Sequence, residues 1–331
     1  MKPNTRIELI NFIKAVEQLT AATMTTIGLQ TASEILSQCH ITKEALRTDE
    51  TISDSGPVSN WNATIMNLSS PSTPKPDSKR RILILGPPGG RKTTTIMSFP
   101  NIAFFDIDGN LDGPKQALKK LTGTEPLFGY ESVSYNKAGQ LLEISEWFDN
   151  LVRQMTEFRD EVKKGTSPFQ FACVDGLRNL GEMIKANVMK SQRRESMETR
   201  DWDPYKTKML KIVFLLAQEI GVHMLFTCHE QEIWKPSPNP KEMMKDILVG
   251  YEPMVQGGIQ NAFSGFFTDV WRITSELAGG GQVETKITSV KSTYSPDLKS
   301  SIGLPPELII KSNETAWSKL QPYFQGRIWT V

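Results

Sequence analysis

The sequence has little with which to build a metal or disulfide framework. Its 331 residues include three cysteines and three histidines. Cys39, Cys173 and Cys228 lack C-x-x-C spacing, and His40, His223 and His229 are too scattered for a structural zinc site. Their free thiols point to a reducing compartment, the cytoplasm (the host's, for a phage-encoded chain). No apolar run approaches the roughly 20 residues of a membrane span. The N-terminus places Lys2, Arg6 and Glu8 where a secretory leader needs an apolar core. An excess of charge is missing as well. Lys and Arg total 38 against 37 Asp and Glu, a net charge of +1, so attraction to nucleic acid must come from local patches. The expectation is a soluble cytoplasmic protein with no membrane contact.

What is present divides the chain into three. Residues 5–20 set Leu9, Phe12, Ile13, Val16 and Leu19 at helical spacing, and Thr31–Gln38 has the pattern of a second helix, so 1–47 is expected to be a helical arm. Residues 48–79 are rich in Ser, Thr, Pro, Asp and Asn and read as a flexible linker. From Arg80 to 331, strand and helix patterns alternate. The segments Ile82–Leu85, Ala103–Asp108, Phe169–Val174 and Val222–Thr227 read as buried strands. The segments Leu141–Lys164, Tyr205–Ile220 and the stretch through Leu177, Leu180, Met183 and Ile184 up to the polar break SQRRESMETRDWD read as amphipathic helices. Such alternation predicts an α/β domain, with a mostly parallel sheet flanked by helices. The last third, at Asp269–Ile273, Val283–Val290 and Leu308–Ile310, predicts short strands closing the sheet, in antiparallel fashion.

The chemistry concentrates in KRRILILGPPGGRKTTTIMSFPNIAFFDIDGNLD. An apolar strand enters a Gly/Pro-rich turn, a helix follows, and a second strand ends in acids. Gly86, Pro87, Pro88, Gly89, Gly90, Arg91, Lys92, Thr93 and Thr94 match the phosphate-loop pattern G-x-x-x-x-G-K-[ST], whose backbone N–H groups and lysine wrap nucleotide phosphates. ATP with Mg²⁺ is the expected occupant, with the Thr93 hydroxyl on the metal. Arg91 stands where the pattern has its second glycine, a place that favours positive φ. It either adds a phosphate contact or obstructs the loop. Asp175, closing the strand in FACVDGL, is the candidate for the metal shell, against a helix-capping role. Of Asp106 and Asp108, Asp108 is the choice for orienting the attacking water. His229, in MLFTCHEQ, is the candidate for sensing the γ-phosphate at a strand end.

The order of phosphate loop, FFDIDGNL, FACVDGL and MLFTCHEQ resembles the RecA-type ATPase core. Its nearest form is the phage Sak family of RecA-like single-strand annealing proteins. The resemblance covers about residues 80–325 and none of 1–79. It implies a carboxylate that activates water at Asp108, where recombinases more often have Glu. It also implies a switch residue at His229 and nucleotide held between subunits of a ring or filament. In ETKITSVKS it implies a lysine reaching the neighbour's nucleotide, Lys291 first and Lys286 second.

Two loops carry the nucleic-acid reading. One is 190–202, with Arg193 and Arg194 among several acids; the other is 231–260, with Trp234, Lys235 and Lys241. Rings that stack bases beside lysines that hold phosphates suit single-stranded DNA, while a solvated loop of mixed charge is the plain alternative. The expected activity is ATP-dependent single-strand annealing or exchange in phage-type recombination, with a single-strand-binding protein as a further partner. The alternatives are a motor or remodelling ATPase acting on duplex DNA or a protein client, and a weakly hydrolytic nucleotide-binding scaffold.

Overall fold

The computed structural model describes residues 79–126, 128–237, 246–295 and 297–324. The expected helical arm, and the linker up to residue 78, lie outside the described residues. Within them the chain reads β1 (Arg81–Gly86), α1 (Lys92–Met97), β2 (Ile102–Asp106), α2 (Asp112–Thr122), β3 (Phe128–Ser132), α3 (Ile144–Lys163), β4 (Phe171–Asp175) and α4 (Leu177–Gln192). Then come α5 (Trp202–Leu210), a π-helical stretch (Lys211–Leu216) and α6 (Ala217–Ile220), followed by β5 (His223–Pro236) and β6 (Asp246–Pro253). The short α7 (Gln260–Phe263), β7 (Asp269–Leu277), β8 (Val283–Thr288), β9 (Glu307–Ile310) and α8 (Ala316–Phe324) complete it.

Eight strands lie in the order β3-β2-β4-β5-β1-β7-β8-β9, and β6 pairs with the far half of β5. The pairs from β3 through β7 are all parallel. Those of β7 with β8 and of β8 with β9 are antiparallel. Central parallel strands are covered on both faces, so they are apolar throughout rather than alternating. All five residues of β2 and all five of β4 are buried. Period-two geometry still sorts the side chains by face. Leu83, Leu85, Phe105 and Val174 pack with α3, α4 and α5. Ile82, Ile84, Phe104 and Cys173 join Ile96 and Met97 of α1, Leu118 of α2 and Leu320 of α8. Helix α3 starts on a capping box in which Glu143 and Glu146 satisfy each other's backbone N–H groups.

The differences from expectation have local causes. Strand β5 does not end at His229 and Glu230; it continues to Pro236, because β6 folds back on it with a bulge between Ile233 and Trp234. Nor is it an edge strand, since it lies between β4 and β1. Residues 231–236 and 246–253 of the expected loop are therefore paired antiparallel strands. Strand β7, expected in an antiparallel group, pairs parallel with β1 and is antiparallel only to β8. The helices α2 and α8 and the strand β3 were not expected. Helix α2 buries Leu118 and part of Leu121 and leaves most of the rest of its surface to solvent.

Candidate functional site

Register brings the site together at the carboxyl ends of the parallel strands, where such sheets bind ligands. Gly86 of β1 lies opposite His229 of β5, and Asp106 of β2 lies opposite Asp175 of β4. Val174 faces Phe226, so Thr227 comes level with Asp175. Here the chain leaves β1 into the glycine-rich turn. A Cβ on Gly86 would stand 2.1 Å from the Ile273 carbonyl oxygen of β7, so no larger residue fits. The turn closes on Arg91, whose φ of 63° and ψ of 23° are left-handed. The expected positive φ is present at this position, but an arginine adopts it.

Lys92 is 7% exposed and folds back over the turn. Its ammonium donates to the carbonyls of Gly86 and Pro87, each at 2.9 Å, and lies 3.2 Å from His229 Nδ1. An ammonium can only donate, so His229 Nδ1 accepts and the ring proton belongs on Nε2. Burial, then the Lys92 and Arg178 charges, hold the His229 pKa below its ordinary value, which keeps the ring neutral. Burial also lowers the Lys92 pKa, against the pull of Asp175, Glu230 and Asp108 among its neighbours.

Across from the lysine sit the acids. Thr93 Oγ1 donates to Asp175 Oδ2 at 3.0 Å, and Thr227 Oγ1 donates to Asp175 Oδ1 while receiving the Gly176 N–H at 2.8 Å. Asp175 is 2% exposed, and burial raises its pKa in spite of both hydroxyls and Lys92. The geometry separates the other two acids. Asp106 is turned into the strand end, accepts the Gly109 N–H at 2.9 Å, and is pushed by burial up to about 6. Asp108 lines the cleft; burial first, then Asp175 and Asp106, push it up to about 7. Asp108 and Asp175 thus face Lys92 across the cleft, with Asp106 behind them at the strand end, a field that favours an added cation.

The cleft encloses about 360 Å³ among Gly89, Lys92, Thr93, Asp108, Asp175 and His229, with Thr94 at the start of α1 also lining it. Among the described residues no group of three or more His, Cys, Asp or Glu side chains could hold a metal unaided. Mg²⁺ keeps waters and takes phosphate oxygens beside one or two protein ligands, and the Thr93 hydroxyl against the Asp175 carboxylate supplies such a pair. Thr93 and Asp175 would hold it, and it would offset charge on the phosphates.

The remaining candidates lie apart from this cleft. Arg193, in a left-handed conformation at the end of α4, is exposed. Arg194 is committed within the chain: Nη1 donates to both Asp201 carboxylate oxygens at 2.7 Å. That removes it as a free contact for DNA. Trp234 and Lys235 are exposed on the hairpin, the indole N–H donating to Glu232 at 3.0 Å. Lys241 lies outside the described residues. Lys291 is exposed between β8 and β9, whereas Lys286 is paired with Glu307 at 2.6 Å.

Sequence reasoning missed Thr227, Gly176, Asn179 and the Glu230–Arg272 pair. Arg272 holds both Glu230 oxygens, at 2.8 and 2.7 Å, and its guanidinium sits 4.1 Å from the centre of the Tyr251 ring. A signal existed for Thr227 alone: two residues before His229 on a strand, it must face the same way.

A family model described as an AAA domain matches residues 78–297, and no curated protein matches the chain. The matched span contains the phosphate loop and every residue of the cleft. The chain belongs to the AAA domain family, a nucleotide-binding ATPase type built on the phosphate-loop fold.

Proposed function

We propose that this AAA-domain ATPase is a nucleotide-switched, single-stranded-DNA-binding protein, of the Sak-like kind that anneals or exchanges strands in phage-type recombination. The observation that carries the reading is the continuity of β5. His229 touches Lys92 at one point of the strand, and the exposed Trp234 and Lys235 stand five and six residues further on. In this reading Gly89 and Gly90, the Gly90 N–H turning from the Pro87 carbonyl that it now meets at 3.1 Å, hold the ATP phosphates with Lys92, and Thr93 and Asp175 hold Mg²⁺.

Lys92 must leave the Gly86 and Pro87 carbonyls to meet phosphate, and that movement frees His229 Nδ1. Asp108, ionised, orients the attacking water and takes its proton. Subunits assemble with nucleotide between them, and Lys291 of a neighbour offsets charge developing on the transferred phosphoryl group. Single strands stack on Trp234 beside Lys235 and Arg193, so sequence preference is weak. A single-strand-binding protein would present the strands.

The test is ATP hydrolysis with and without single-stranded DNA, beside a Lys92→Ala control. Stimulation by single strands that the control abolishes supports the reading. Stimulation by duplex or a protein client alone would replace it with a remodelling motor. Nucleotide binding with no stimulated turnover would replace it with a scaffold, the reading that Arg91 favours.

A further inference from the structure

The Asp108 carboxylate is held by two residues of the segment that follows β4. Gly176, directly after Asp175, has φ of 106°. A Cβ built on it would lie 1.9 Å from Asp108 Oδ1, so the missing side chain is the slot in which the carboxylate rests. One turn on, Asn179 donates its side-chain amide to the same Oδ1 at 2.8 Å. Asn179 is the third residue of α4, in a first turn where an asparagine side chain commonly bonds back to its own backbone. Here it reaches out of the helix instead, to a loop 71 positions earlier in the chain.

The arrangement has a chemical consequence. A carboxylate that orients water must present one oxygen in a fixed direction, and Asp108 leaves β2 two residues past its last paired position, on a turn. Left to its own rotamers the side chain would sample several directions. With Oδ1 engaged by Asn179 and seated over Gly176, Oδ2 is the oxygen left for water. The Asn179 hydrogen bond also favours the ionised form, against the burial that opposes it.

We infer that Asn179 is a positioning residue for hydrolysis, fixing Asp108 so that Oδ2 faces the attacking water, with Gly176 supplying the space. This rests on the proposed role of Asp108. Asn179 is exposed and caps nothing, so its replacement leaves the fold and the phosphate contacts intact.

The experiment measures single-turnover ATP hydrolysis, with single-stranded DNA present, and binding of a fluorescent ATP analogue. The proteins are the full-length wild type, Asn179→Leu, Asp108→Asn and the double variant. Asn179→Leu is expected to lower the rate about ten- to a hundredfold, the effect of misplacing a reacting group, while nucleotide Kd stays within about twofold. In the Asp108→Asn background the same substitution is expected to change the residual rate less than about twofold, because the two residues act as one unit. A wild-type rate in Asn179→Leu, or an equal loss in both backgrounds, overturns the role of Asn179 and leaves that of Asp108 standing. A wild-type rate in Asp108→Asn overturns both.

Discussion

Replacing Asp108 by asparagine should make the nucleotide-free protein more stable while stopping turnover. The carboxyl is pushed up to about 7 from an unfolded value of 3.8, chiefly by burial and then by Asp175 and Asp106. The sign follows from proton binding. Between these two values the folded state holds a proton that the unfolded chain has released, so stability falls as pH rises through this window. Below it both states are protonated and the carboxyl costs nothing; above it the full cost of ionising in place is carried. That cost is at most about 4 kcal/mol. Asparagine is neutral at every pH and escapes it. Thermal unfolding without nucleotide or Mg²⁺ should show a Tm gain of several degrees for Asp108→Asn at about pH 8, at roughly 2–4 °C per kcal/mol for a domain of this size. The gain should shrink toward about pH 5, where the wild-type carboxyl is protonated too. Turnover should fall at least about a hundredfold, since the asparagine cannot take a proton. Equal Tm at the alkaline end, or a gain that ignores pH, would refute the argument that Asp108 is held ionised against its surroundings for the sake of chemistry.

Arg91→Gly relieves a left-handed residue that costs about 1–2 kcal/mol and adds back about 0.5–1 for the freer unfolded chain. Unfolding should therefore show a net gain of up to about 1.5 kcal/mol. In ATP hydrolysis, a faster rate identifies Arg91 as an obstruction, and a slower one as a phosphate contact. Arg272→Ala strands Glu230, of which 5% of the side chain is exposed, without its partner. Breaking such a pair from one side should cost about 3–5 kcal/mol in chemical denaturation, and a loss below about 1 would show that the pair is dispensable.

The parts of the fold legible in the sequence were those whose signal is local. The phosphate loop, β1, β2, β4 and the helices α3 and α4 each carry their own apolar period or turn chemistry, and each stands within a few residues of expectation. The cleft's acids were legible because strand ends in a parallel sheet share one edge, so Asp108 and Asp175 could be paired with a loop some 20 and 80 positions away. What was not legible depends on partners distant in sequence. Strand β5 looked finished at His229 because Glu230, Gln231 and Glu232 follow it without an apolar period, and only β6 turns them into a strand. Arg194 stands among several acids of its own loop, and the sequence does not say whether one of them takes it; the fold sets Asp201, just before α5, against it. Gly176 and Asn179 sit in an ordinary strand-to-helix turn, and their importance depends on where Asp108 arrives from another strand.

The insertion of β5 between β1 and β4 gives one segment two tasks. At its core, Leu225 and Phe226 are locked in the sheet; at His229 it borders the phosphate loop; beyond the bulge it leaves the protein as the exposed hairpin. From His229 to Trp234 is about 17 Å along a strand, too far for direct contact with nucleotide, so any coupling between them must run along β5 and through the bulge at Ile233 and Trp234. The root of the hairpin is held firmly. Met254 N–H donates to the His229 carbonyl at 2.8 Å, and Glu230 is pinned by Arg272, which in turn lies against Tyr251 of β6. Release of His229 by Lys92 would thus act on a clamped joint rather than on a free loop. Under the proposed function, a joint of this kind is the element through which the phosphate state would bias the hairpin, since a switch needs an element that both sites can act on.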